Sequence, residues 1–448
     1  MIAAPNWVLL TSAKRGHRQT PRLPRRLASK LCYRPRLGGE RGSMGAFNPT
    51  EESTIAIRHL MCARAVRDFG DGFVAVLLPV YLLGLGLGSM EVGIVATAAL
   101  LGSALLTVAI GFLGTRYDHR RLLLAAACLM VATGVAFAVI DAYAILLVVA
   151  FAGTANPSAG SVSVFVPLEH AVLAHQASSD QRTTIFARYS LIGALAGAAG
   201  SLAAGVPELI APLGLSQLAA LKVMFILYAA LGLVGGLFYG RIPRRQPAGD
   251  ERAHAALGPS RHIVFKLAAL FSLDAFAGGF VVQSLLALWL FERFDLSLAE
   301  AGVFFFCAGV LSAFSFPVAA WLSRRIGLVN TMVFTHIPAS IALMLAAFAP
   351  TLHAALALLL IRSALSQMDV PTRSSYVMAV VSETERTAAA SLTSVPRSLA
   401  AAVSPMLAGT LMAASFRAWP LVICGGLKIV YDLLLLVQFR HMKPPEER

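Results

Sequence analysis

This chain of 448 residues is short of charge. Only 13% of its residues are charged, where a soluble chain carries about a quarter. With 57% hydrophobic residues and a mean hydropathy of +0.73, polar side chains are too few to wet the surface. That excludes an ordinary soluble enzyme of two or three domains. Acids are scarcer than bases: 37 Lys and Arg stand against 23 Asp and Glu, a net charge of +14. Taken alone, that balance points to nucleic acid or to an anionic membrane. The five cysteines, Cys32, Cys62, Cys128, Cys307 and Cys424, have no short metal-ligand spacing. They read as small buried hydrophobes, with neither a disulfide framework nor a zinc site in prospect. Alternating strand patterns are absent. So is any Ser/His, Cys/His or HExxH constellation, which leaves a membrane-embedded enzyme without its chemistry and implies no cofactor or metal.

The positions of the bases decide between the two partners. Ten of them, from Lys14 to Arg41, precede Met44, with Glu40 as the one acid among them. This segment has three readings: a disordered basic tail, a stretch that is not made because translation starts at Met44, and an acid-poor transit peptide without an amphipathic stripe. From Cys62 onward there follows a succession of apolar stretches, each near the roughly 20 residues a helix needs to cross a bilayer. They lie at about 63–87, 91–113, 122–140, 143–166, 184–205, 217–240, 263–291, 300–322, 329–349, 353–376, 387–415 and 418–440. In lipid the backbone must satisfy itself, so these are helices. The ends of the fourth, tenth and eleventh are the hardest to place, because Pro157, Pro167, Pro371, Pro396 and Pro405 interrupt or terminate them.

Lys and Arg crowd one set of loops: Arg58 and Arg64 before the first span, Arg116 to Arg121 after the second, Arg182 after the fourth. The series continues with Arg241 to Arg261, Arg324 and Arg325, Arg373 and Arg386, and Arg440 to Arg448. The opposite loops hold Arg293 and Arg417. By the positive-inside rule, both termini and every even-to-odd loop are cytoplasmic. The expected organisation is a basic tail over 1–54, a six-helix bundle over 55–240, a cytoplasmic linker over 241–262, a second six-helix bundle over 263–440 and a tail over 441–448. The halves repeat. Phe69 to Phe73 resembles Phe276 to Phe280 at an offset of 207, and Leu113 to Asp118 parallels Leu322 to Gly327 at 209. Arg182, Ser190 and Gly205 match Arg386, Ser394 and Gly409 at 204. A near-constant offset across several spans implies an internal duplication.

Between the second and third spans, Gly111 to Arg120 resembles the signature loop of the major facilitator superfamily: Gly, any, Leu, small, Asp, Arg, any, Gly, Arg, Arg or Lys. Gly111, Leu113, Gly114, Arg116 and Arg120 fit; Thr115 stands for the usual Asp, Asp118 for Gly and His119 for a base. Leu322 to Gly327 is the second copy and keeps Arg324, Arg325 and Gly327. The resemblance covers Arg58 to Arg440. It implies an all-α integral membrane protein with twelve transmembrane helices in two pseudo-symmetric six-helix bundles. It also implies that Gly111, Gly114, Arg116, Asp118, Arg120, Arg324, Arg325 and Gly327 form a cytoplasmic gating motif, which holds the outward-facing state closed on that side. Gly111 would let two helices approach, and Asp118 would stand in for the missing anion at Thr115.

Each ionisable residue inside a span costs about 2.5–3.5 kcal/mol and needs a partner or a water-filled cavity. Asp71 in the first span and Asp274 in the seventh are the candidates for taking up and releasing a proton, against a structural hydrogen bond as the alternative. Asp68, near Arg64 and Arg67, reads as a paired surface acid. In the tenth span Arg362, Ser366, Asp369 and Arg373 form one polar stripe, with Arg362 the best candidate for an anionic substrate group or a charge partner. Arg397 and Arg188, in the eleventh and fifth spans, complete the cavity candidates, although Arg188 can also snorkel. Lys428 and Asp432 are spaced to neutralise each other within one helix. Gly193, Gly197 and Gly200 form a close-packing seam. Trp289, Trp321, Trp419 and Tyr239 read as interfacial anchors, and Glu169, His170 and His175 as an interfacial stretch. The function these features imply is a secondary active transporter in the plasma (inner) membrane. Its partners are the lipid bilayer, a small organic solute and protons, with no nucleic acid; it acts as a monomer, with efflux preferred over uptake. A non-transporting receptor or scaffold is the rival from another class.

Overall fold

The computed structural model describes residues 51–113, 116–159, 163–176, 179–243, 258, 260–382, 385–415 and 417–440. Pro49–Arg448 form one compact unit. The tail over 1–50, most of the linker and the end over 441–448 lie outside the described residues. Among those described there are helices and no strand: α1 (Glu51–Gly84), α2 (Ser89–Leu113), α3 (His119–Val139), α4 (Tyr143–Ala152), α5 (Phe165–Gln176), α6 (Ser179–Ala203), α7 (Val206–Ile210) and α8 (Gln217–Tyr239) in the first half. The second half has α9 (Arg261–Gly279), α10 (Gln283–Phe294), α11 (Leu298–Ile326), α12 (Leu328–Ala347), α13 (Leu352–Ser366), α14 (Asp369–Val380), α15 (Arg386–Ala413) and α16 (Trp419–Phe439).

Nine described segments are long and apolar enough to cross a membrane. The other three expected spans are α1, which carries Arg64, Arg67, Asp68 and Asp71; α15, which carries Ser391, Ser394, Arg397 and Ser404; and the α4–α5 pair, whose pieces have 10 and 12 residues. Each departs from the apolar pattern for a local reason. The fourth span breaks after Gly153, and the tenth breaks at Gln367 and Met368. Pro167 and Pro371 stand in the first turns of α5 and α14, where a missing N–H costs nothing. A helix continued backwards would set each ring against the carbonyl four residues earlier, so the chain breaks there. The expected polar stripe of the tenth span is thus divided between α13 and α14. By contrast α15 runs through Pro396 and Pro405 without a break, because packed neighbours can satisfy the freed carbonyls.

The surface inverts the soluble pattern. Val139 is 70% exposed and Val437 73%, while Arg67, Asp68, Asp71, Glu169, Asp274 and Asp432 are buried. An apolar exterior around a polar interior suits lipid as solvent. Cys424 is buried, but Cys62 and Cys128 are exposed, so those two are lipid-facing residues and not core hydrophobes. Trp321 and Trp419 are about half exposed, as anchors should be, whereas Trp289 and Tyr239 are each 1% exposed and belong to the interior.

The repeat is visible in the packing. A Cβ at Gly72 would strike the Gly197 carbonyl, and one at Gly200 the Phe69 carbonyl, so α1 and α6 touch backbone to backbone along the expected glycine seam. In the second half a Cβ at Gly279 would strike Ala401 and Ser404, and Ser404 Oγ donates to the Phe276 carbonyl at 2.6 Å. Gly72 and Phe69 lie 207 residues before Gly279 and Phe276; Gly197 and Gly200 lie 204 before Ala401 and Ser404. The halves join through α2 with α15 and α6 with α11. Backbone approaches at Gly93 with Gly409, and at Gly302 with Ser201, mark these seams. Met406 N–H donates to Thr97 Oγ1 at 2.9 Å, and Glu208 accepts from the Leu298 and Ala299 N–H groups at 2.6 and 3.2 Å, capping α11 from the other half. These junctions lie toward the end of the molecule away from α1's first turn.

Candidate functional site: two buried ion clusters

Each half encloses a cluster of charges. In the first half, α1 brings Arg64, Arg67, Asp68 and Asp71 one turn apart on one face. Arg67, 2% exposed, is the hub. Its NH1 meets Asp68 at 3.0 Å and Asp71 at 3.5 Å, and its NH2 meets Glu169 of α5 at 3.1 Å. Arg64 Nε pairs with Asp68 at 2.7 Å, and its NH1 donates to Tyr189 at 3.1 Å. Three tyrosines close the network. Tyr189 and Tyr239 hydroxyls donate to Glu169, the latter at 2.5 Å, and Tyr228 donates to Asp71 Oδ1 at 3.2 Å. The Arg64 guanidinium lies over the Tyr189 ring at 4.7 Å and that of Arg67 over Phe165 at 4.8 Å. The break in the fourth span contributes directly, since Arg67 also donates to Ser163 Oγ at 3.2 Å.

Two expectations are corrected here. Asp68 is 2% exposed and belongs to this network, so it is not a surface acid. Glu169 is wholly buried as its second anchor rather than interfacial. The helix entry at α5, set by Pro167, turns Glu169 inward.

In the second half Asp274 is the hub. Its Oδ1 meets Lys428 Nζ at 2.6 Å and its Oδ2 meets Arg373 NH1 at 2.9 Å. Arg373 also pairs with Asp369 at 3.0 Å and lies over the Phe271 ring. Lys428 does not pair with Asp432 along its own helix. It donates to His336 Nε2 at 3.2 Å, and His336 Nδ1 contacts Asp432 at 3.1 Å. An ammonium has no lone pair, so Nε2 must accept and Nδ1–H must donate to Asp432. The neighbours therefore write His336 as neutral with a defined tautomer. The reason is reach: α9 and α12 present Asp274 and His336 to α16, within 2.6 Å of Lys428 and 3.1 Å of Asp432 respectively.

Of the remaining cavity candidates, Arg397 and Arg362 are partly buried, Ser366 is partly buried at the end of α13, and Asp369 is buried in the Arg373 pair. Arg397 Nε is buried without a hydrogen-bond partner, and neither Arg397 nor Arg362 makes an ion pair among the described residues. Arg188 is exposed, on another face from its buried neighbour Tyr189. Glu169, Arg67, His336 and Lys428 were missed as site residues. A signal was available for one pair: Glu169 and Arg373 stand 204 residues apart, the repeat offset, and both are ionisable.

The loop motif is built differently from expectation. Gly111 is exposed and a Cβ there would meet nothing within 4 Å, so it serves no close helix approach here. Gly114 lies outside the described residues. Asp118 is the N-cap of α3, accepting from Arg120 N–H at 3.2 Å, which is the local work of a capping residue. Arg116, Arg324 and Arg325 are exposed, Arg120 is partly so, and Arg325 lies over the Trp321 ring. Gly327 has φ +88, a conformation that favours glycine, where α11 ends and α12 begins.

Residues 60–368 match the model of the Major Facilitator Superfamily. An uncharacterized membrane protein of Saccharomyces cerevisiae is 22% identical over 419 residues, covering 86% of this chain and 94% of that protein. Among solved structures, the nucleoside transporter NupG superposes with a TM-score of 0.66 at 13% identity, over 86% of this chain and 99% of that one. A bacterial homologue of the iron transporter ferroportin in its inward-facing state gives 0.66 at 17%, over 85% and 98%. At these identities the likeness is one of fold.

Proposed function

The chain belongs to the major facilitator superfamily, and from that premise we propose that it is a proton-coupled exporter. It moves a small organic solute across the plasma membrane by alternating access, as a monomer with both termini in the cytoplasm. The observation that carries the coupling is a count of charges. The first-half cluster holds two guanidiniums, Arg64 and Arg67, and three carboxyls, Asp68, Asp71 and Glu169. Fully ionised, it leaves one negative charge buried without a counter-charge, which is costly. One proton balances it.

Asp71 is the carboxyl to hold that proton. Asp68 and Glu169 each have a guanidinium nitrogen within about 3 Å, whereas Asp71 stands at 3.5 Å from Arg67 and is otherwise held by the neutral Tyr228 hydroxyl. Asp274, between Lys428 and Arg373, acts instead as a fixed counter-ion. The Lys and Arg bias of the loops supports an external position for the joined end; the cytoplasmic arginines of the loop motif would then be released in this state and engaged in the opposite one. In reconstituted vesicles, Asp71→Asn is expected to abolish solute movement driven by a pH gradient while solute exchange at equal pH continues. Undiminished pH-driven transport in that variant would overturn the coupling. An outward-directed solute flux that fails under every imposed gradient would overturn the direction.

A further inference from the structure

We infer that Tyr228 of α8 is the positioning residue that carries the protonation state of Asp71 to the broken fourth span, by turning its one hydroxyl hydrogen between Asp71 and the Thr154 carbonyl. The inference rests on the reading of Asp71 as the proton site and names how that proton is felt elsewhere. It starts from a count of hydrogens. The Tyr228 oxygen lies 3.2 Å from Asp71 Oδ1 and 3.1 Å from the Thr154 carbonyl oxygen. Both are acceptors, and a phenol has one hydrogen to give. Asp71, Thr154 and Tyr228 are all buried, so the acceptor left out has no bulk water to turn to. The Thr154 hydroxyl, 3.1 Å from the Tyr228 oxygen, keeps the two side chains in register.

The proton on Asp71 decides which acceptor wins. Asp71 Oδ2 faces the Arg67 guanidinium at 3.5 Å, a donor, so a proton belongs on Oδ1, toward the Tyr228 oxygen. The other charged and titratable groups of the cluster are Arg64 and Asp68 on the same helix, and Glu169 of α5 with Tyr189 and Tyr239 beyond Arg67. When Asp71 is ionised, Tyr228 donates to it. When Asp71 is protonated, Oδ1–H donates to Tyr228 and the phenol hydrogen turns to the Thr154 carbonyl. The tyrosine keeps its hydrogen throughout; only the hydrogen-bond partner changes. Thr154 stands between α4 and α5, where the helix ladder is broken: the Ser158 N–H, four residues on, goes to Asn156 Oδ1 at 2.8 Å. Three residues after Thr154, the Pro157 carbonyl accepts from the Ser284 N–H of α10 at 3.0 Å, a bond between the halves. Protonation thus satisfies the Thr154 carbonyl and firms this contact, while ionisation leaves that carbonyl without the donor and loosens it. A proton can bias the rocking of the halves only if one state holds it better, and this route supplies the difference. In the second half both Asp274 oxygens face cations, Lys428 and Arg373, so the same exchange is not open to it.

The test uses the full chain in detergent without solute, with infrared difference spectra and amide exchange read across a pH titration. The wild-type chain is expected to show a protonated-carboxyl band that Asp71→Asn abolishes. In protein made with isotope-labelled tyrosine, a tyrosine C–O band should shift with the same midpoint. Tyr228→Phe keeps the ring, which packs edge-on against Phe73, and removes the hydroxyl. There the tyrosine shift should vanish, and the carboxyl band should move to higher frequency as its hydrogen bond is lost. Exchange of the Ser284 amide, corrected for its intrinsic pH dependence, should be severalfold faster with Asp71 ionised in the wild type and indifferent to pH in Tyr228→Phe. Thr154→Val, which loses the hydroxyl and keeps the carbonyl, should retain the switch. A wild-type tyrosine spectrum flat across the carboxyl's titration, a carboxyl band unmoved in Tyr228→Phe, pH-dependent Ser284 exchange in that variant, or loss of the switch in Thr154→Val would each overturn the inference. A carboxyl band that survives in Asp71→Asn overturns the proton reading itself. Loss of the band there without a tyrosine shift leaves the proton site standing and removes Tyr228 from its path.

Discussion

The two halves place the same ion pair in the same position with the signs exchanged. In the first, Arg67 of the opening helix meets Glu169 of the broken fourth span; in the second, Asp274 meets Arg373 of the broken tenth. Arg67 and Asp274 are 207 residues apart, Glu169 and Arg373 are 204 apart, and both offsets recur in the glycine crossings. A Coulomb pair works in either direction, so the architecture requires the attraction and leaves the polarity open. The difference shows in what surrounds each pair. Around Arg67 stand neutral tyrosines and one carboxyl too many. Around Asp274 stand a lysine, a histidine and a guanidinium that is itself shared with Asp369. The first half is left with a carboxyl to protonate, and the second holds its carboxyl between fixed cations.

The comparison is broken hardest by removing each half's bridging arginine. Arg67→Met leaves three buried carboxyls with Arg64 alone, and a cost of about 3–5 kcal/mol is expected. Arg373→Met leaves Asp274 still paired with Lys428 and should cost about 1.5–3 kcal/mol. Thermal unfolding of the two purified variants checks the order, and equal losses would mean that the clusters share no such asymmetry. Next come the helix crossings. Gly72→Ala meets a backbone carbonyl that cannot swing aside, with an expected cost of about 1–3 kcal/mol. Gly279→Ala is expected to be milder, because Ser404 can rotate away from it even though Ala401 cannot.

A smaller effect is expected where the halves meet. Glu208→Ala removes the cap that the first half lends to α11, worth about 0.5–2 kcal/mol, and should loosen the contact between α7 and α11. Spin-label distances across the α7–α11 junction would report the widening. Smallest of all is Glu385, in the loop before α15. Hydrogen bonds from the Ser382 hydroxyl, from Ser260 and from the Gly258 N–H hold its carboxyl below the usual carboxylate range. The tether is therefore complete above the free carboxyl's ordinary value and is lost as pH falls through the lowered one. Glu385→Gln should leave transport intact and speed amide exchange at Gly258 and Arg261 even at neutral pH.

Spans, fold family and repeat were legible because each rests on many residues at once. Hydropathy accumulates over about twenty positions, and an offset gains weight with every match. Single residues were harder. Asp71 was found because an acid deep in an apolar helix has no local excuse, whereas Asp68 and Arg67, three or four positions nearer the terminus, had the ordinary excuse of the membrane surface. Lys428 and Asp432 misled for the same reason, since their spacing offers a local partner that the fold replaces with Asp274 and His336. Asp118, marked as a gating anion, also caps a helix, work that a bond two residues away makes visible in this conformation.

What the sequence determined by itself is therefore what lipid demands: helices of spanning length, loops sorted by charge, and a twofold chain whose few internal charges must meet one another. Which charge meets which was decided by the tertiary structure. Burial makes an unpaired ion intolerable but does not name its partner. The partner is chosen by helix crossings at Gly72 and Gly279, and by chain breaks before Pro167 and Pro371, that bring residues 102 and 99 positions apart to 3.1 and 2.9 Å.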